Sequence, residues 1–125
     1  LKSAQMKGRL TLDKLNKKIK TEIKLHNIQL KFLQTHKNFQ AINFLQRNRN
    51  KAKGLLFIPT SWARTNYTIL ETINLIKIKT SVIYFEQPYN FGTDENKSIF
   101  HGENIKSFTG QPVSSCIEGI KYFLK

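Results

Sequence analysis

The stretch GLLFIPTSWARTN, residues 54–66, holds the strongest fold signal in the chain. Its first half is an apolar run that does not alternate with polar residues, which predicts a strand buried on both faces, as in a parallel sheet. Pro59 ends the run, and a polar loop bearing Trp62 and Arg64 follows. In parallel α/β proteins, ligands bind at the carboxyl ends of the strands. This loop is therefore the first candidate for a functional site.

Helical and extended patterns alternate on both sides of this stretch. Apolar residues at helical spacing predict helices over 11–26, 38–53 and 66–77, and a last helix from Pro112 to the end. Alternating or continuous apolar runs predict strands over 27–35, 54–59, 80–86 and 105–110. This order predicts an α/β fold in three layers around a doubly wound parallel sheet. With 125 residues, we expect one domain over 1–125, with 1–10 as an extension or loop.

Several kinds of site find no support in the residue pattern. No apolar run approaches the length of a membrane helix, so we expect no membrane insertion. Cys116 is the one cysteine, which excludes an internal disulfide. The three histidines lack metal-ligand spacing, and neither a nucleophile elbow nor a phosphate-binding glycine loop is present. We therefore predict no metal and no cofactor.

Positive charge is concentrated in the first half of the chain. Residues 1–53 carry 14 Lys/Arg against two acids, whereas residues 54–125 carry seven against six. Part of the lysine content is attributable to AT-rich codons. If codon bias were the whole cause, the lysines would form only a solvated basic surface. The uneven placement favours contact with a polyanion. The predicted RNA-binding residues are Lys7, Arg9, Lys14, Lys17, Lys18, Lys24, Arg47, Arg49, Lys51 and Lys53.

Four segments in order resemble the type II 3-dehydroquinate dehydratases, which are small flavodoxin-like enzymes. The segments are GRLTLDKL (8–15), LKFLQTHKNFQAINFLQ (30–46), GLLFIPTSWARTN (54–66) and SVIYFEQPYNFGT (81–93). The likeness covers about residues 8–125, and the spacing between the segments also agrees. It implies a flavodoxin-like fold. The first strand of the family lies upstream of the matched region and is absent from this sequence. An N-terminal segment, another polypeptide or a rearranged sheet could take its place, and we expect a partner chain or segment to supply it.

Positions that the resemblance assigns to catalysis carry other residue types here. The replacements are Lys7 for a tyrosine, Ile58 for an asparagine, Arg64 and Phe91 for histidines, and Thr93 for an arginine. Dehydration through an enolate needs a proton acceptor, an enolate stabiliser and a proton donor. Phenylalanine and isoleucine provide none of these, so the sequence predicts that the chain is not an enzyme. The residues of the expected vestigial pocket are Ile58, Pro59, Trp62, Arg64 and Phe91.

Together these features lead to one functional prediction and two alternatives. The prediction is a non-catalytic structural subunit of a ribonucleoprotein, most specifically a mitochondrial ribosomal protein of the matrix that binds rRNA and neighbouring ribosomal proteins. One alternative is an accessory or scaffold subunit of another organellar complex. The other is a degenerate 3-dehydroquinate dehydratase.

Overall fold

A computed structural model of the chain describes residues 12–23, 29–86 and 95–124. It contains four α-helices: α1 (Leu12–Ile23), α2 (Asn38–Asn48), α3 (Tyr67–Ile76) and α4 (Pro112–Tyr122). Three strands complete the regular structure: β1 (Leu55–Phe57), β2 (Thr80–Phe85) and β3 (Ile105–Gly110). Short 3-10 helices span Thr60–Arg64 and Glu95–Lys97.

The described strands form one parallel sheet in the order β1-β2-β3. Its central strand, β2, is buried at all six positions. Leu55 is paired with Thr80 in the first ladder, and Thr80 is paired with Ile105 in the second. The predicted parallel α/β architecture is thus confirmed.

Helices cover both faces of the sheet. On one face α1 and α4 pack together, and Leu15, Ile19 and Ile23 of α1 join a core with Ile83 and Phe85 of β2. On the other face α2 packs on α3, with Leu45, Ile69 and Ile73 against Val82 and Tyr84. Because successive β2 side chains point to opposite faces, the one strand supports both cores. The predicted three layers follow from this arrangement.

The segment 29–35 is not the strand that its alternating pattern predicts. It runs extended but enters no ladder, and Phe32 and Leu33 are exposed. A strand needs a neighbour to exchange backbone hydrogen bonds with, and the described residues place none beside this segment. Side chains hold it instead: Lys31 Nζ donates to Asn48 Oδ1 at 3.2 Å, and Lys20 Nζ lies 5.1 Å from the centre of the Phe32 ring.

Two boundaries also differ from the sequence expectations. The second helix ends at Asn48 rather than at residue 53, and the Asn48 side-chain amide donates to the Phe44 carbonyl at 2.8 Å. The strand β1 is only half-buried along its length, because the described part of the chain pairs it with β2 alone. Residues 24–26 of the expected first helix lie outside the described residues.

No helix within the described ranges is long and apolar enough to cross a membrane.

Candidate active site

The carboxyl ends of β1, β2 and β3 meet at one edge of the sheet, because the three strands are parallel and adjacent. After β1 the chain passes Ile58 and Pro59 into the 3-10 helix Thr60–Arg64. Thr60 has a φ of +48°, which a β-branched residue adopts only at a cost of about 1–3 kcal/mol. Backbone strain of this kind concentrates at functional sites, so it supports the choice of this edge.

The residues of the predicted pocket do not all face the edge. Pro59 is buried, while Ile58 is half-buried and packs against the core beneath α1 and α4. Trp62 is half-buried against the opposite core, and Arg64 is exposed. The structure thus leaves the Arg64 guanidinium as the accessible charged group of this loop.

Five of the positions predicted from the sequence lie outside the described residues. They are Lys7, Arg9, Lys24, Phe91 and Thr93.

Three polar residues at the ends of the next two strands were missing from the sequence prediction. Glu86 follows β2 directly and is exposed, and its backbone N–H donates to the Gly110 carbonyl at 2.9 Å. Gln111 follows β3, and its side-chain amide lies 3.5 Å from the Glu86 carboxylate. Ser114 is exposed in the first turn of α4. Ligands bind at the carboxyl ends of parallel strands, and these residues follow the carboxyl ends of β2 and β3. The same principle that indicates the end of β1 therefore indicates them too.

A buried polar cluster of Tyr84 and Ser98 lies close to the carboxyl end of β2. The Tyr84 hydroxyl donates to Ser98 Oγ, which also accepts from the Phe100 backbone N–H at 3.0 Å. Burial raises the pKa of Tyr84, and the nearby Glu95 charge acts in the same direction; hydrogen bonds with Ser98 and Ser107 oppose the rise. The phenol therefore stays neutral and serves as a fixed hydrogen-bond donor.

Backbone and ring contacts join this cluster to the loop after β1. The Ile99 N–H donates to the Ala63 carbonyl at 2.7 Å. The Phe57 and Phe100 rings meet edge to face with their centroids 5.0 Å apart. The 3-10 helix that carries Arg64 is consequently held against the segment 98–100.

Cysteine and histidine form no metal centre in the described part of the chain, where no group of three or more His, Cys, Asp or Glu side chains lies close enough to hold an ion. Cys116 is fully buried in α4, and burial raises the pKa of its thiol to about 12. A protonated, inaccessible thiol is neither a nucleophile nor a ligand at neutral pH.

The predicted RNA-binding residues that the structure describes are exposed, but they lie on two faces. Lys14, Lys17 and Lys18 belong to α1, where Lys17 and Lys18 border a shallow depression with Thr21, Glu22 and Val113. Arg47, Arg49, Lys51 and Lys53 lie at and beyond the end of α2, on the opposite face of the sheet. The segment 29–35 links the two groups, because Lys20 of α1 lies over Phe32 and Asn48 of α2 bonds Lys31.

Comparison with known proteins identifies the fold family. The family model for dehydroquinase class II matches residues 2–124. The chain belongs to the class II dehydroquinase family. The resemblance seen in the sequence is thereby confirmed at the level of the family, and the flavodoxin-like description of the parallel sheet follows from it.

Individual relatives are distant but cover most of this class II dehydroquinase. It is 21% identical over 119 residues to the 3-dehydroquinate dehydratase of Clostridium botulinum strain 657, an overlap of 95% of this chain and 81% of the relative. The enzyme of the same name from strain Hall is 20% identical over 117 residues, covering 94% and 80% of the two chains. That of Endomicrobium trichonymphae is 22% identical over 103 residues, covering 82% and 72%.

These findings correct the prediction that the chain is not an enzyme. That prediction rested on the replacements at Lys7, Ile58, Arg64, Phe91 and Thr93, and it is wrong: both the family and its matched relatives are those of an enzyme, 3-dehydroquinate dehydratase. Replacing a family residue removes one chemical group, but a neighbouring group can still take over the role of that residue. Glu86, Gln111 and Ser114 are polar residues at the same edge.

Proposed function

We propose that this class II dehydroquinase binds 3-dehydroquinate at the carboxyl edge of its sheet and dehydrates it. The observation that carries the proposal is the family match over residues 2–124, on a parallel sheet whose carboxyl edge presents a guanidinium, a carboxylate and a hydroxyl. Arg64, Glu86 and Ser114 supply these groups at the ends of three neighbouring strands.

Each group has a role that its chemistry allows. A β-hydroxy ketone loses water when a base removes the proton next to the ketone, and the hydroxyl on the following carbon takes a proton from solvent and departs as water. The exposed Glu86 carboxylate accepts the proton next to the ketone. Arg64 neutralises the carboxylate of the substrate. Ser114 donates a hydrogen bond to the oxygen that gains negative charge.

Turnover by the purified full chain tests this proposal. Dehydration of 3-dehydroquinate creates a carbon–carbon double bond conjugated with the ketone, which is followed by ultraviolet absorbance. Glu86→Gln should abolish turnover, and Arg64→Met should raise KM more than it lowers kcat. Glu71→Gln, at an exposed position on α3, is the matched control and should behave as wild type. Wild-type protein without turnover above the buffer rate would rule the proposal out.

A second candidate function is favoured by the charge of the described surface. Between residues 23 and 70 the chain has eight Lys/Arg and no Asp or Glu. Seven of those eight are described, and all seven side chains are exposed: Lys31, Lys37, Arg47, Arg49, Lys51, Lys53 and Arg64. A surface of this composition suits nucleic-acid phosphates. In this second candidate function, the chain is an rRNA-binding subunit of a ribonucleoprotein, namely the mitochondrial ribosome of the matrix.

Salt-dependent binding of RNA distinguishes this candidate from a merely solvated surface. Neutralising Arg47, Arg49, Lys51 and Lys53 together should weaken RNA binding and flatten its dependence on salt concentration, since fewer counterions are released. Neutralising Lys77, Lys97, Lys106 and Lys121 in the second half of the chain is the control. Equal losses from the two sets would contradict a localised interface.

The second candidate function also includes the partner chain or segment that we expect to add a strand beside β1. The Leu55 N–H donates to the Lys79 carbonyl, which places the Leu56 backbone groups on the side of β1 away from β2. Nothing in the described ranges pairs with β1 on that side. A strand added on that side would pair with the Leu56 backbone groups.

A further inference from the structure

Two exposed aromatic rings lie in the first turns of two packed helices. Phe39 and Tyr67 occupy the first turns of α2 and α3, and their side chains are 61% and 63% exposed. Exposed apolar side chains that group on one surface mark sites that meet a ligand or a partner. Neither ring contributes to the two hydrophobic cores.

A side-chain hydrogen bond joins the two residues that precede these rings. The Asn66 Nδ2 group donates to Asn38 Oδ1 at 2.9 Å, which joins the residue before Tyr67 to the residue before Phe39. The same Asn66 side chain accepts from the Ile69 N–H at 3.1 Å and so caps α3. The rings therefore stand on two packed helices rather than on loops, and little ordering is needed when they bind.

Cations flank the aromatic pair, and the nearest acid on α3, Glu71, lies one helical turn beyond Tyr67. Lys37 immediately precedes α2, and Arg64 ends the 3-10 helix before α3; both are exposed. The first turns of α2 and α3 contain no acidic residue. Positive charge beside open ring faces suits a chain of phosphates and unstacked bases.

We propose that Phe39 and Tyr67 form a stacking platform for the bases of single-stranded RNA, with Lys37 and Arg64 contacting the adjacent phosphates. This inference rests on the second candidate function and specifies its ligand as a single strand. A duplex would meet the same cations but hides the faces of its bases, so it gains nothing from the rings.

Binding of short RNAs tests the platform directly. The probe is a fluorescein-labelled RNA oligonucleotide without self-complementarity, followed by anisotropy, and the comparison is the same strand annealed to its complement. Phe39→Ala combined with Tyr67→Ala should weaken single-strand binding by about tenfold or more. The duplex affinity and the salt dependence should change little, because the phosphate contacts remain.

Matched variants separate stacking from loss of structure. Leu75→Ala removes a 74% exposed side chain from the other end of α3 and should leave binding unchanged. Tyr67→Phe keeps the ring and should bind as wild type. Unchanged single-strand affinity in the double variant, together with weaker binding after the α2 cations are neutralised, overturns the platform but retains the second candidate. Absence of any RNA binding, or a preference for polyglutamate over RNA, overturns both.

Discussion

A Cβ atom at Gly119 would lie 2.7 Å from Leu56 Cδ1, because α4 approaches β1 closely at this point. It would also lie 2.9 Å from Ile83 Cδ1 and 3.1 Å from Ser81 Cβ. The Ser81 hydroxyl donates to the Gly119 carbonyl at 2.8 Å, which holds the helix at this distance. A residue without a side chain is therefore required where the helix crosses the sheet.

Gly119→Ala should lower the free energy of unfolding by up to about 2 kcal/mol. Overpacking costs about 1–3 kcal/mol and outweighs the gain of about 1 kcal/mol from replacing glycine in a helix. The measurement is urea denaturation. Gly110→Ala is the control, because the nearest atom to its new Cβ, Ser115 Cβ, is 3.5 Å away. Greater stability in Gly119→Ala would show that α4 can withdraw without cost.

Tyr84→Phe should destabilise the chain by about 1 kcal/mol, because a buried hydroxyl loses its bond to Ser98. Thermal unfolding measures the effect. The same deletion at the exposed Tyr67 is the comparison and should leave the melting temperature unchanged. Equal shifts in the two variants would mean that the Tyr84 hydroxyl is solvated in the native state.

Stability should decline in alkaline solution as the pH rises from about 9 towards 12. Burial raises the pKa of Cys116 from 9.0 to about 12 and raises that of Tyr84 above 10.0. Both native groups stay neutral when their unfolded counterparts ionise, so this contribution is complete below pH 9 and is lost as the pH rises towards 12. Denaturation at pH 8 and pH 11 should show a smaller decline in Cys116→Ala than in wild type. An identical decline would contradict the burial of the thiol.

Asn66 has two roles that different substitutions can separate. Asn66→Ala removes the cap on Ile69 N and the link to Asn38, and should cost about 1 kcal/mol or more. Asn66→Asp keeps an oxygen acceptor for the cap but loses the donor to Asn38. It should therefore retain most of the stability while loosening the contact between the first turns of α2 and α3. Chemical denaturation measures the first effect, and amide chemical shifts near Asn38 measure the second.

The Leu56 amide should exchange rapidly with solvent in the isolated chain. It lies on the side of β1 away from β2, whereas the Leu55 amide is bonded to Lys79. Hydrogen exchange followed by NMR should show at least tenfold lower protection at Leu56 than at Leu55, and equal protection after the partner segment is added. Strong protection of Leu56 in the chain alone would mean that the edge is already paired.

Much of the fold could be predicted because several local signals agree. In β2, β3, α3 and α4 the apolar pattern, the breakers and the start at Pro112 indicate the same elements. The strand prediction for segment 29–35 was wrong. Alternation of apolar and polar residues indicates which side chains face inward, but not whether a neighbouring strand exists. The predicted end of α2 at residue 53 was wrong: the cations after Asn48 suit a helix C-terminus, but the helix already ends at Asn48.

The candidate site was predictable in place but not in composition. The end of β1 is a candidate place because parallel strands bring their carboxyl ends together, where ligands bind. The positive φ of Thr60 and the bond between Tyr84 and Ser98 depend on tertiary packing, which residue spacing does not encode. Glu86 and Gln111 follow the neighbouring strands β2 and β3 but are remote in sequence from GLLFIPTSWARTN, so the residues of that stretch alone do not indicate them.

The half-buried strand β1 bears on how the chain behaves during synthesis and purification. An unpaired strand edge is a template on which identical chains can stack into fibres or amorphous precipitate. Two features oppose this outcome: β1 has only three residues, and Lys51 and Lys53 stand just before it, so that like charges repel in a stack. We expect solubility to depend on protein concentration and ionic strength, and expression together with the strand donor to improve the soluble yield more than a lower temperature does.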